Sequence, residues 1–252
     1  MFRQKPLMLL VALAFLASFA VSVFAVNIPL GPDTLDYVQS ETSNIALYPP
    51  KQIDAEAGNI TEITITGRTQ TKSWQGFYGN VSGTIILEDA QGNRFYDWTA
   101  AEPKGEVYAS VNETISWTTV ECAPTSTDIT FLDSWQTFYG MNYTDYDTIN
   151  TTYTNDTHQI FYTGYNTLDN CPTTFTYVNN VSQTADFEGV LLTSDSNSTL
   201  IFTALLEDKA EGMRADKVGF DGGEYDFQLL VAEDGSAANT VVTPYFFWVE
   251  LE

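Results

Sequence analysis

FYGNVSGTIILEDAQGNRFYDWTA, residues 77–100, alternates as a strand does and then turns back on itself. Phe77, Val81, Ile85 and Leu87 share one parity, while Tyr78, Asn80, Ser82 and Thr84 share the other. A period of two places these sets on opposite faces of a strand running through residues 77–89. Gly79 and Gly83 fall on the apolar parity, the mark of a bulge or a close backbone approach. AQGN, residues 90–93, supplies the turn, and RFYDWTA, residues 94–100, reads as the returning partner of a hairpin.

The same signal recurs on both sides. Before it, ITEITITGR, residues 60–68, has Ile60, Ile63 and Ile65 in near alternation with polar residues and predicts the first strand. After it come EVYASV and ISWTTVECA, then TTFTYV (173–178), FEGVLL (187–192), STLIFTALL (198–206), EYDFQLLVA (224–232) and TPYFFWVEL (243–251). Pro244 suits entry to an edge strand, because proline cannot donate to a ladder. Short runs at this regular spacing predict an all-β fold, an antiparallel immunoglobulin-like β-sandwich.

One stretch departs from this period. In TSTDITFLDSWQTFYG, residues 125–140, Ile129, Leu132, Trp135 and Tyr139 are spaced as on a helix. Thr125 with Asp128 resembles a capping box and Gly140 is placed to end the turn, so a short helix is expected. Strand is the alternative, because Thr, Phe, Tyr and Trp favour it. This stretch contains SWQTFYGMN, residues 134–142, which repeats SWQGFYGN of residues 73–80. The flanks differ, one strand-like and one helix-like. They favour two separate uses of Trp, Phe and Tyr over a duplication.

The N-terminus has Arg3 and Lys5 before an apolar run from residue 7 to 24 and the pattern Val23-x-Ala25. That layout predicts a signal peptide over residues 1–25. An uncleaved anchor is the alternative, since the run approaches the ~20 residues that span a bilayer. Residues 26–52, marked by Pro29, Pro32, Pro49 and Pro50, read as an extended arm. Residues 53–252 are then a single β-sandwich domain with an insertion over 123–171.

The chain carries 33 acidic and 10 basic residues. Without Arg3 and Lys5 the exported part has a formal charge of 8 − 33 = −25. Such a field repels nucleic-acid phosphates and anionic lipid, and favours solubility and cations. Cys122 and Cys171 are the only cysteines. In an exported chain they are expected to form a disulfide closing the insertion. A free pair and a metal site are the alternatives, the latter lacking further soft ligands at metal spacing.

Asn-x-Ser/Thr sequons stand at Asn59, Asn80, Asn112, Asn142, Asn150, Asn155, Asn180 and Asn197. Chance in this composition would supply about three. The excess predicts surface acceptors for N-glycans, three of them in the insertion.

Chemistry is sparse. The one histidine, His158, lies in a polar stretch and reads as a solvated loop residue. No nucleophile elbow or phosphate loop occurs, and abundant carboxylates do not by themselves identify a glycosidase pair. Calcium is the candidate cofactor, at DSNST (195–199) or at FDGGEYD (220–226), with Asp221, Glu224 and Asp226 the preferred ligands. For sugar binding, Trp74, Trp98, Trp117, Trp135 and Trp248 are available. Trp135 and Tyr139, with the tyrosine-rich stretch 143–165, are the candidate ligand contacts, because the other tryptophans sit in patterned core segments.

SWQGFYGNVSGTIILEDAQGNRFYDW, GEVYAS, the two cysteines, YDFQLLVAEDG and PYFFWVEL together resemble a group of secreted or cell-surface proteins of archaea with no established activity. The resemblance spans most of the chain beyond residue 25. It implies a β-sandwich envelope protein and supplies no catalytic residue. The expected role is structural or adhesive and non-enzymatic, at the cell surface. Partners would be other envelope proteins, further copies of the chain or surface glycans, with an arm able to add to a neighbour's sheet edge. A carbohydrate-binding module and a secreted glycan hydrolase are the rival classes.

Overall fold

A computed structural model describes residues 28–42, 49–100, 104–124, 129–195, 198–207, 217–235 and 242–251. The expected signal peptide, the Thr125 and Asp128 cap and Asn197 lie outside these residues.

The fold is all-β and antiparallel. Its centre is β10, Thr199–Leu205, a largely apolar run, interrupted by Thr203, that is buried at every position. Such a run forms where a strand is covered on both faces. On one side β10 pairs with β4, Gly105–Ser110, which pairs with β14, Phe246–Leu251. On the other it pairs with β9, Ser182–Ser194. The far edge of β9 is shared by β5, Glu121–Cys122, and β8, Thr173–Val178, which makes a sheet of six strands.

Alternate residues of β10 enter two cores. Leu200, Phe202 and Ala204 join Val107, Leu191, Leu229 and Val231 beneath the two-stranded ribbon of β1, Trp74–Gly79, and β13, Phe227–Ala232. Ile201 and Leu205 join Tyr108, Val190 and Leu192 on the opposite face. There the cover is Trp117, in a 3₁₀ turn over Trp117–Thr119, and a small hairpin of β6, Phe161–Thr163, and β7, Asn166–Leu168. Each fully buried leucine or phenylalanine contributes about 1.5–3 kcal/mol. The result is a sandwich of sheet and ribbon with a third, partial layer.

The strand read through residues 77–89 is two strands. β1 ends at Gly79 and β2, Gly83–Glu88, begins a separate hairpin with β3, Arg94–Ala100. The break is fixed by Asp226, whose carboxylate accepts the Val81 N–H (2.7 Å) and whose N–H donates to the Gly79 carbonyl (3.0 Å). At Gly83 a Cβ would strike Leu251, so this glycine marks the close approach.

The strand expected over 60–68 does not form. Residues 60–68 have no assigned regular structure and are exposed. Alternation and β propensity alone make no strand without an edge to pair with. In the arm, Leu30 exchanges both backbone hydrogen bonds with Val249 of β14, at 3.0 and 2.8 Å, and so caps that sheet edge locally.

The helix does form. α1, Ile129–Phe138, carries the second SWQxFYG copy, whereas the first lies in β1. Gly140, at φ +63°, ends it: its N–H donates to the Thr137 carbonyl and that of Met141 to Gln136, a Schellman closure.

Candidate functional site

The disulfide marks the most constrained locus. Cys122 closes β5 and Cys171 lies two residues before β8, and both strands line the same edge of β9. Leu191 of β9 joins them: its carbonyl accepts from Ala123 and its N–H donates to Pro172. Residues 123–171 therefore interrupt one edge line, and the Cys122–Cys171 bond, with Cα atoms 4.8 Å apart, staples the ends. An immunoglobulin disulfide joins two facing sheets. This one splices a single edge.

His158 serves that splice. It is buried, contrary to its reading as a solvated loop residue. Its Nε2 accepts the Cys171 N–H (3.0 Å), which requires that nitrogen to be unprotonated. Nδ1 then carries the hydrogen and donates to the Gln159 carbonyl (2.8 Å). The ring packs edge-on to Phe161.

The insertion folds back onto the core. α2, Ile149–Thr152, is held by a Thr148/Thr151 capping box. Trp74 of β1 donates its indole N–H to the Asp147 carbonyl (2.7 Å), and Thr71 donates to the Asp147 carboxylate. Tyr139 is only 2% exposed, and its hydroxyl hydrogen-bonds with that of Tyr245 (2.9 Å). Burial moves it out of any surface platform. Trp135 is half-buried against the core and stacks on Tyr139. Exposed rings in this region are Phe138, Tyr143, Tyr146, Tyr162 and Tyr165.

The calcium candidates do not converge. Asp221 accepts from its own turn, from Gly223 N–H (2.8 Å) and the Tyr225 hydroxyl (3.1 Å). Glu224 is exposed in β12, Glu224–Tyr225, which pairs with β11, Lys217–Val218, while Asp226 is buried against Val81. Among the described residues no group of three or more His, Cys, Asp or Glu is placed to share a metal ion. The alternative turn, 195–199, lies partly outside them.

Seven sequons are described. Asn59, Asn80, Asn142, Asn155 and Asn180 are exposed. Asn180 and Asn179 turn the chain from β8 into β9 with positive φ of 52° and 48°. Asn142 Oδ1 accepts from the Thr144 N–H (3.3 Å) and hydroxyl (3.1 Å) of its own sequon. Two differ: Asn112 is half-buried and donates to Thr199 (2.9 Å), and Asn150, in α2, buries its Oδ1 without a hydrogen-bond partner.

Two features escaped the sequence reading. A polar groove of ≈ 250 Å³ is lined by Thr151, Thr152, Thr154, Asn155, Thr174, Phe175 and Gln183. No motif announces it, because its walls come from segments far apart in the chain. The second is Glu106, directly across from Glu250 on β14, the two being 3% and 4% exposed. The Tyr108 hydroxyl lies 3.4 Å from Glu106 Oε2, 3.2 Å from Glu250 Oε2 and 2.7 Å from Thr163 Oγ1. Burial first, then the two carboxylates, holds the Tyr108 phenol well above its usual range, so it stays a donor. These acids are sealed in the interior and present no catalytic pair to the groove. GEVYAS did carry the signal, an acid on the Tyr108 parity, but only the layer over β4 turns that parity inward.

No protein-family model, curated protein or solved structure matches the chain. Among the described residues no helix is long and apolar enough to cross a membrane.

Proposed function

We propose that the chain is an extracellular, N-glycosylated protein of the cell envelope with a structural or adhesive role and no catalytic one. The observation that carries this reading is the placement of the sequons. Five asparagines are exposed, four in loops and turns and Asn155 in a single β-bridge to Thr173, spread from Asn59 to Asn180 on a domain stapled by a disulfide. Glycans at such positions solvate the surface without entering either core. A disulfide suits an oxidising compartment, and the acidic excess keeps the surface hydrated.

Electron microscopy of the purified native protein, with intact mass and glycopeptide mapping, tests the proposal. Glycans on the exposed sequons and an ordered filament or layer are the expected result. An unglycosylated chain found inside the cell refutes it.

The groove favours a second reading, a carbohydrate-binding module. Its threonines, Asn155 and Gln183 offer hydrogen bonds to hydroxyls, and Phe175 offers an apolar face. Submillimolar binding on a glycan array, lost in Phe175→Ala and Gln183→Ala, would favour the module. Binding that survives both changes places the ligand elsewhere.

A further inference from the structure

Among the described residues, two parts of the fold have no strand partner beyond themselves, and they fit each other. The first is residues 60–67, ITEITITG. Six of these eight residues are β-branched, a composition suited to a strand. All are exposed, and none makes a backbone hydrogen bond within the described fold. Extended, they place Ile63 and Ile65 on one face and Glu62, Thr64 and Thr66 on the other.

The second is the β2–β3 hairpin, whose residues from Thr84 to Thr99 are exposed on both faces. Cross-strand pairs Ile85↔Trp98 and Leu87↔Tyr96 give it an apolar face, with the Tyr96 and Trp98 rings 4.7 Å apart. A two-stranded hairpin alone is marginal in water, and a third strand is what such an element lacks. Its two edges differ. β3 carries Arg94 and Asp97, an ion pair at 3.2 Å, the kind of charge that blocks edge pairing. β2 has no charged residue from Gly83 to Leu87.

We propose that residues 60–67 of one copy of this chain add as a strand to the β2 edge of a second copy. Ile63 and Ile65 then lie beside Ile85 and Leu87. The proposal rests on the envelope-assembly reading above and names its contact.

Two observations select a second copy. The first is reach. Thr71 is held by Asp147, and the Lys72 carbonyl accepts from Gly235 (2.8 Å), both at the Trp74 end of β1. Only residues 68–70 separate this anchor from residue 67, four Cα steps that span at most about 14 Å. The hairpin leaves the opposite end of β1, which at six residues is about 20 Å away. A chain cannot therefore bring residue 67, and with it the whole segment, onto its own hairpin. The second is charge. At a net charge of −23, copies repel except where acids are sparse. The donor segment carries one acid, Glu62, and the receiving edge none before Glu88. Donor and acceptor are different patches, so the contact is head-to-tail and propagates from copy to copy, as an open chain or, where the rotation closes, a ring.

The test uses two variants of the full chain. Ile63→Asp/Ile65→Asp removes the donor, and Ile85→Asp/Leu87→Asp removes the acceptor. All four side chains are exposed, so unchanged thermal midpoints are expected. Sedimentation and light scattering should show concentration-dependent oligomers for the native protein and monomers for each variant alone. A 1:1 mixture of the variants should give a dimer that stops there. A synthetic ITEITITG peptide should bind the donor variant but not the acceptor variant, and it should shorten native oligomers, a readout independent of how well either variant folds.

A native protein that stays monomeric, oligomers that persist in both variants, or a mixture that stays monomeric would overturn the proposal. Oligomers that persist in both variants of a glycosylated, surface-retained protein refute this pairing and leave the envelope reading standing. A mixed dimer from an intracellular, unglycosylated chain does the reverse.

Discussion

Removing the Cys122–Cys171 bond should destabilise the protein in two separable ways. The bond closes a loop with a sequence separation of 49, and the chain-entropy relation gives about 14 cal/mol/K for a loop of that length, or about 4 kcal/mol at 25 °C. For a chain of this size each kcal/mol shifts Tm by about 2–4 °C, so the loss should be about 8–16 °C. Alanine is the appropriate replacement at both positions, because Cys171 is completely buried and serine would leave a hydroxyl without a partner. The second effect is local. Ala123 and Pro172 both bond to Leu191, and without the staple the insertion can peel away from the edge of β9. Calorimetry of Cys122→Ala/Cys171→Ala against the oxidised parent measures the first effect. Hydrogen exchange at the Ala123 and Leu191 amides measures the second. A Tm change under about 2 °C would refute the loop-entropy reasoning, and unchanged protection of those amides would refute the splice.

Three further outcomes follow from the same geometry. His158→Ala strips the acceptor from the buried Cys171 N–H and should cost about 1–3 kcal/mol, with further loss from the contact with Phe161; denaturant unfolding within 0.5 kcal/mol of the parent, an about-zero effect on this scale, would contradict that role. Glycopeptide mapping should find glycans at Asn59, Asn80, Asn142, Asn155 and Asn180, and bare asparagine at Asn112 and Asn150, whose amides are engaged or buried. Burial, then the charges of Asp186 and Glu188 against the opposing Lys217, pushes the Glu207 carboxyl up from 4.5 to about 9. The fold holds this proton more tightly than the unfolded chain does, so its contribution is full below pH 4.5 and is lost as pH rises through about 9. Glu207→Gln should flatten that decline in a pH series of unfolding midpoints, and an unaltered slope would remove Glu207 as its source.

How much of this was legible in the chain varied by element. The helix at 129–138 was, because its 3, 3, 4 spacing and Gly140 are local signals that the Schellman closure then satisfies. The two SWQxFYG copies were separable by their flanks alone, and they do fold as strand and helix. His158 was not legible. A polar neighbourhood in sequence says nothing about a backbone N–H thirteen residues away that needs an acceptor.

The sequence by itself determined the β class, the pairing of the only two cysteines and the turns, since each depends on residue type and spacing within a few positions or on a count of two. Tertiary structure alone decided which strand-like segments found a place in the core. ITEITITGR and TIILE carry as good a strand pattern as FQLLVA, yet only the last is buried in the sandwich. A strand's hydrogen bonds lie across it, on another segment, so its pattern says which faces it has and not whether an edge awaits it. Among the described residues, the exposed segment and the exposed hairpin edge are where that requirement goes unmet within the chain.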